Sequence, residues 1–394
     1  MANSNVSADS SGDDWPMFLH DSAHTGVTAS AGPTEPVELW RFPVGNDVVS
    51  SAAVVDGIVY VGGNDNIYAL NAYTGAEIWS YPTTPTMYSS PAVSGSRLFI
   101  GADGNVLALN ALTGTKVWSY PTEGRVISSP AVVDGVVYVG SPEGNLYALN
   151  ASTGSKIWNY TTMGAIEVQS SPAVVDGVVY YGSPDHNVYA LKASTGEKIW
   201  NHTIRHIVNS APAVNGGVVY VSTDVGYLYA LDADSGEELW RFTVSDVLQR
   251  IHGYSPTVDD GVVYVRSSDS GELYALDALT GGLKWENRNR GSSYDRGSAA
   301  IVGDVVYIGT SALNASTGEE IWHFPTGDKV SASPAVSNGV LYVASRDGYF
   351  YAIGEPLANP PPNPSFPTAW ILAAIALLTV FGIALIIYFK KRKH

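Results

Sequence analysis

Cysteine is missing from all 394 residues, which excludes a disulfide framework and any thiolate-based metal or redox centre. Charge is scarce as well. Asp, Glu, Lys and Arg make up 15 % of the chain, with 37 acidic against 21 basic residues and a formal net charge of −16. That balance excludes nucleic-acid binding as the main task. No Gly-x-Ser-x-Gly elbow, Walker loop or zinc-ligand spacing occurs. The apolar residues come in β-branched and aromatic bursts without a 3.6-residue period, so most of the chain reads as strand.

What is present is a repeat. Trp40, Trp79, Trp118, Trp158, Trp200, Trp240, Trp285 and Trp322 recur at spacings of 39, 39, 40, 42, 40, 45 and 37. A period near 40 means one supersecondary unit copied around an architecture. The third copy shows four short strands: the segment after Ser128-Ser129, then Val136 to Gly140, Leu146 to Asn150 and Lys156 to Trp158. Asp-Gly or Asn-Gly pairs at 56–57, 134–135, 176–177, 260–261 and 338–339 tolerate the positive φ of tight hairpins. Thr-Gly steps such as Thr153-Gly154 join strands three and four.

These features predict an all-β fold, an eight-bladed β-propeller of four-stranded antiparallel blades over residues 37–354, behind a leader at 1–36. Inner strands begin near Ser51, Ser90, Ser129, Ser171, Ala211, Ser255, Ser298 and Ser333. The eighth copy has no Trp strand, whereas Glu38 to Phe42 precedes the first copy. The N-terminal strand is therefore expected to complete blade eight and close the ring without long unpaired edges. The tryptophans, together with the Ile, Leu or Val before them, are expected to fill the space between blades. Blade seven runs from Tyr307-Ile308-Gly309-Thr310 straight into Ser311, which predicts a stunted hairpin.

The motif Ala-x-x-x-Thr-Gly-x-x-x-Trp, seen from Ala151 through Thr153-Gly154 to Trp158, resembles the repeat of pyrroloquinoline-quinone-like (PQQ-like) propellers. That family includes quinoprotein alcohol dehydrogenases and the non-enzymatic lipoprotein of the bacterial outer-membrane barrel-assembly machine. The leader Asp14-Trp15-Pro16-Met17-Phe18 with His24-Thr25-Gly26 also looks like the opening segment of many such exported proteins. The family's dehydrogenases place a vicinal disulfide over the quinone, hold calcium through Glu, Asn and Asp, and use a further Asp as base. No segment here matches those motifs, and the long insertions that cover the quinone are missing. The resemblance thus implies the fold, with no cofactor and no catalysis expected.

The tail has its own organisation. A Pro-rich spacer covers 355–367, and residues 368–389 then run without a charge, long enough for a ~30 Å hydrocarbon core. Trp370 and Tyr388 suit an aromatic belt, and the basic tail at 390–394 contains Lys390-Lys391-Arg392-Lys393. The expectation is a single-pass membrane protein with the lipid bilayer as partner, its C-terminus cytoplasmic and its propeller outside. Residues 1–14 lack an apolar stretch able to serve as a signal peptide. A truncated or processed start accommodates that, as does a tail-anchored protein with the propeller inside.

Candidate binding residues follow from departures in the repeat. The column Val48, Met87, Val126, Val168, Val208, His252, Asp295, Val330 is apolar except in two consecutive blades. The two longest blade-to-blade loops enter those same blades. They contribute Arg250, His252 and Tyr254, and Arg288, Arg290, Tyr294, Asp295 and Arg296, to a proposed channel mouth, and Gln169 joins them from the next column. Arg125, Arg205 and Lys329 occupy the equivalent loops elsewhere. An Arg-bearing mouth on an acidic body suits a protein or an anionic ligand such as a carboxylate-rich peptide or a sugar acid. Local pairing of Arg288, Arg290 and Arg296 with Glu286 and Asp295 is the alternative. His20 and His24, four apart in the leader, form a weak metal candidate, and His186, His202 and His206 read as scattered over different turns and strands. The function expected is a surface-exposed binding or assembly scaffold. The alternatives are a PQQ-dependent quinoprotein oxidoreductase and a structural cell-envelope component.

Overall fold

A computed structural model describes residues 14–46, 48–84, 88–162, 168–244, 254–267, 271–288, 297–330 and 332–355. Within them, thirty-two strands, β1 to β32 in chain order, build eight four-stranded antiparallel sheets and no helix. Blade three is representative: β10 (Ala131–Val133), β11 (Val136–Gly140), β12 (Asn145–Asn150) and β13 (Lys156–Thr161) pair in sequence order. The turn between β10 and β11 has φ of 50° at Asp134 and 75° at Gly135, the left-handed pair that the Asp-Gly steps are chosen for.

The ring closes through its N-terminus. Strand β1 (Glu38–Pro43) lies antiparallel to β32 (Tyr349–Gly354), with Trp40 opposite Ala352 and Phe42 opposite Phe350. Blade seven is stunted as expected, with only four residues in each of β27 (Val305–Ile308) and β28 (Ser311–Asn314).

Seven of the eight blade tryptophans lock their blade to the next. Trp118 Nε1 donates to the Ala151 carbonyl at 2.9 Å, and its ring lies against Gly154 of the same neighbouring blade. Trp40, Trp79, Trp158, Trp200, Trp240 and Trp285 repeat the bond to Ala72, Ala111, Ala193, Ala233, Ala278 and Ala315. The repeat motif is therefore two halves of one inter-blade contact. Its Ala and Gly receive the Trp of the blade before.

Several of the residues preceding a Trp face solvent instead of joining this core, contrary to the sequence expectation, whereas Leu39 and Ile78 do pack against it. Val117 is 44 %, Ile157 48 % and Leu239 50 % exposed. In blade three Ala148 opposes Trp158 while Leu149 opposes Lys156, so Ile157 is the extra residue of a β-bulge. The bulge leaves Trp158 facing the next blade and Ile157 facing solvent.

The leader is a strap across one face of the ring. Trp15 exchanges two 2.7 Å backbone bonds with Val54 of blade one. Further along, Pro16 O accepts from Val93, Ser22 O from Val174, Ala23 O from Val214, Thr25 O from Val258, Gly26 O from Ile301 and Ala31 O from Gly339. Those partners lie in blades two, four, five, six, seven and eight, so one pass of the strap visits the blades in order. The innermost strand of any propeller presents unpaired N–H groups to the channel, and the strap satisfies them. Its anchors are buried: Trp15 and His24 are each 1 % exposed.

No helix among the described residues is long and apolar enough to cross a membrane. The segment 368–389, expected to span the bilayer, lies outside them, as do the spacer from residue 356 on and the basic tail.

Candidate functional site

The innermost strands converge on a central channel, which four of the eight enter through two consecutive serines. The first serine braces its own blade: Ser50, Ser89, Ser128 and Ser170 accept the N–H of Gly62, Gly101, Gly140 and Gly182 at 3.0–3.2 Å. The second serine serves the blade before. Ser51 N–H donates to Ser90 Oγ, Ser90 N–H to Ser129 Oγ and Ser129 N–H to Ser171 Oγ, each at 2.9 Å. Ala211 and Ser298 donate likewise to Ser255 and Ser333, and Ser333 N–H returns to Ser51 Oγ at 3.0 Å. These hydroxyls line the lumen, and each that accepts a backbone proton keeps its own proton to donate.

Beyond the serine ring, the lining is Val49, Tyr88, Ile127, Gln169, Asn209 and Tyr254. Phe18 of the strap also lines the cavity, whose volume is about 190 Å³. The strap reaches this place through an unusual backbone: Leu19 has a φ of 53° and His20 of 75°, a conformation that L residues adopt at a cost. Asp21 holds the turn by accepting from the N–H of Ala23 at 3.0 Å and of Thr25 at 3.1 Å. Phe18 packs edge-on against His24, ring centroids 5.7 Å apart, and His24 Nδ1 donates to the Pro212 carbonyl at 3.0 Å. Burial pushes the His24 imidazole down to about 4, against the opposing pull of Asp21 and the Pro212 carbonyl. His24 is a neutral structural latch, and no group of three or more metal-ligating side chains occurs among the described residues.

The described lining contains no charged side chain. It offers hydroxyl donors, two tyrosines and one orphan, since Asn209 Oδ1 is buried without a hydrogen-bond partner. Such a site can hold water or a narrow neutral polar group. An anionic quinone held with calcium needs cations and carboxylate ligands. This lining supplies neither, and 190 Å³ is below the ~300–1,000 Å³ usual for small-molecule pockets. The described residues do not fit that cofactor.

Of the residues singled out from sequence, Gln169 and Tyr254 line the channel. Arg288 does not. It is exposed and pairs with Glu286, Nη2 to Oε1 at 2.6 Å. Arg250, His252, Arg290, Tyr294, Asp295 and Arg296 lie outside the described residues. Arg125 lies over the Tyr88 ring, 5.2 Å from its centroid, and Arg205 is placed away from the channel between blades four and five. Phe18 and Asn209 were not found from sequence. Nothing in the repeat register points to Phe18, whereas Asn209 shares a column with Val49 and Ile127 and departs from them in polarity.

Eight blades, with this Trp–Ala–Gly lock at seven of their junctions, define a PQQ-like β-propeller. The profile of the family described as "Outer membrane protein assembly factor BamB" matches residues 27–184, 89–209, 184–314 and 310–356, and the chain belongs to that PQQ-like family. No curated protein matches it. Among solved structures it is similar to BamB from Moraxella catarrhalis at 20 % identity and a TM-score of 0.68, covering 82 % of this chain and 100 % of that one. It is also similar to quinohemoprotein alcohol dehydrogenase from Comamonas testosteroni at 18 % identity and a TM-score of 0.73, covering 89 % and 82 %. The computationally designed Ika8 protein matches at 18 % identity and 0.68, covering 82 % and 100 %. At these identities the likeness concerns the fold alone.

Proposed function

We propose that this protein is a membrane-anchored binding or assembly scaffold without catalysis. Its propeller lies outside the cell, held by the segment 368–389 with the basic tail in the cytoplasm. The observation that carries the reading is the channel, whose described lining, Phe18 included, is neutral and small. Rigid blades with such an axis leave recognition to the loops and flanks. Arg250, His252, Arg290, Tyr294, Asp295 and Arg296 are the proposed rim contacts for an anionic or protein partner. The family description, an assembly factor, supports a protein partner.

The test is a titration of the full-length protein with pyrroloquinoline quinone and calcium. We expect no thermal shift and no dye-linked alcohol oxidation. Saturable stabilisation with oxidation would instead establish the oxidoreductase alternative. Crosslinking on intact cells should capture a defined protein partner, whereas contacts with many envelope neighbours would favour the structural alternative. Removing residues 368–394 should release the propeller from the membrane fraction, and protease shaving of whole cells should digest it.

A further inference from the structure

The junction between blades four and five lacks the aromatic pair that most junctions of the ring carry. At five of the eight junctions the second residue after the Trp is an aromatic that packs on a tyrosine of the next blade, Phe324 on Tyr351 among them. Phe42 meets Tyr68 at 5.2 Å, Tyr120 meets Tyr147 at 5.2 Å, Tyr160 meets Tyr189 at 5.5 Å and Phe242 meets Tyr274 at 5.8 Å between centroids. At this junction the position is His202, and no ring contact joins it to Tyr229 of blade five. A second replacement lies beside it. Blades three and four begin their third strand with Asn145 and Asn187, which accept from Thr161 at 2.6 Å and from Thr203 at 2.8 Å. Blade five has Tyr227 there, so Arg241 and Thr243 have no asparagine to face.

These changes open a cavity of about 650 Å³ lined by His202, Arg205, His206, Tyr227, Tyr229 and Arg241, among others. It shares no residue with the channel lining. The His206 and Tyr227 rings stack at 5.4 Å and 16°, making one flat plate. Arg241 hydrogen-bonds Tyr229, and its Nε lies 3.8 Å from the single lining carboxylate, Glu238. Arg205 has no acidic partner among the described residues. Asp224, on the adjacent turn, already accepts the Ile207 N–H at 3.1 Å. On a chain of net charge −16, two guanidinium groups and two imidazoles thus share one groove with one carboxylate.

We infer that this groove is a binding site for a small acidic saccharide. Arg205 and Arg241 receive the carboxylate or sulfate, and the Tyr227–His206 plate supports the sugar ring. Guanidinium forks match oxyanions in geometry and are weakly hydrated, so they release water readily to such a group. The cavity falls within the ~300–1,000 Å³ of small-molecule sites and is larger than a bare ion needs.

The experiment is calorimetric titration of the full-length protein with glucuronate, glucose and inorganic sulfate, with the histidine C–H resonances followed by NMR. Glucuronate should bind saturably and shift the His206 signal, and glucose should not bind. Arg205→Ala and Arg241→Ala should each weaken glucuronate about tenfold or more, the loss expected for a charged hydrogen bond. Arg125→Ala, remote from the groove, should leave binding unchanged. No saturable glucuronate binding, unchanged affinity in Arg205→Ala, or binding of sulfate but not glucuronate would each overturn the assignment. None of these outcomes bears on the quinone titration of the channel, so the two readings fail separately.

Discussion

Replacing Gly154 with alanine perturbs the lock between blades two and three at a single atom. Gly154 has a φ of 72°, and an added Cβ would lie 2.6 Å from Cδ2 and 2.7 Å from Cε3 of Trp118. Two penalties result. An L residue in the left-handed region costs about 1–2 kcal/mol, and forcing a methyl into a packed contact costs roughly another 1–3 kcal/mol. Gly135 separates them. Its φ is 75°, yet nothing lies within 4 Å of its added Cβ, so Gly135→Ala carries the backbone penalty alone. Urea unfolding should therefore show Gly154→Ala less stable than Gly135→Ala by about 1–3 kcal/mol. In a Trp118→Ala background, itself weakened by roughly 3–5 kcal/mol, the excess should vanish, because the ring that the methyl strikes is gone. Equal costs for the two glycines, or an excess that survives in the Trp118→Ala background, would refute the lock.

Three further outcomes are expected. His24 titrates near 6.5 when unfolded and about 4 when folded, so the unfolded chain takes up the proton first on acidification. Its contribution is fully present above pH 6.5 and is lost as pH falls toward 4, by about 3 kcal/mol at most; a His24→Gln variant whose denaturation midpoint has the same slope over this window would contradict it. Removing residues 1–34 should speed hydrogen exchange at the Val54, Val174, Val214 and Val258 amides, which the strap covers, while Val137, inside its own blade, stays protected. Ala211 interrupts the serine ring, leaving Ser171 with no hydroxyl opposite it, so Ala211→Ser should stabilise the protein by about 0.5–1.5 kcal/mol in the same urea assay; a loss of stability would count against the ring.

The periodic tryptophans, Asp-Gly hairpins and Thr-Gly steps were sufficient to read the blade count and the closure of the ring. The strands are short, and their turns are specified by residues adjacent in sequence. The bulge that turns Ile157 outward was not legible, because alternation along a strand carries no mark of a skipped pair. The strap was not legible either. Nothing local to Trp15 or Phe18 announces that seven of the eight blades offer backbone N–H groups to the strap, or that Phe18 lines the channel.

His202 and His206 show the same division. In sequence they are two histidines amid unrelated turns. The register of blades four and five brings them together with Arg205 and Arg241, residues that no local pattern connects. The sequence by itself determined the repeating unit, its number and the way its ends meet, since each depends on contacts that recur once per blade. The tertiary structure alone decided which side chains share a cavity. Ring closure sets residues from neighbouring copies face to face, and a departure from the repeat acquires chemical meaning only beside what stands across the junction.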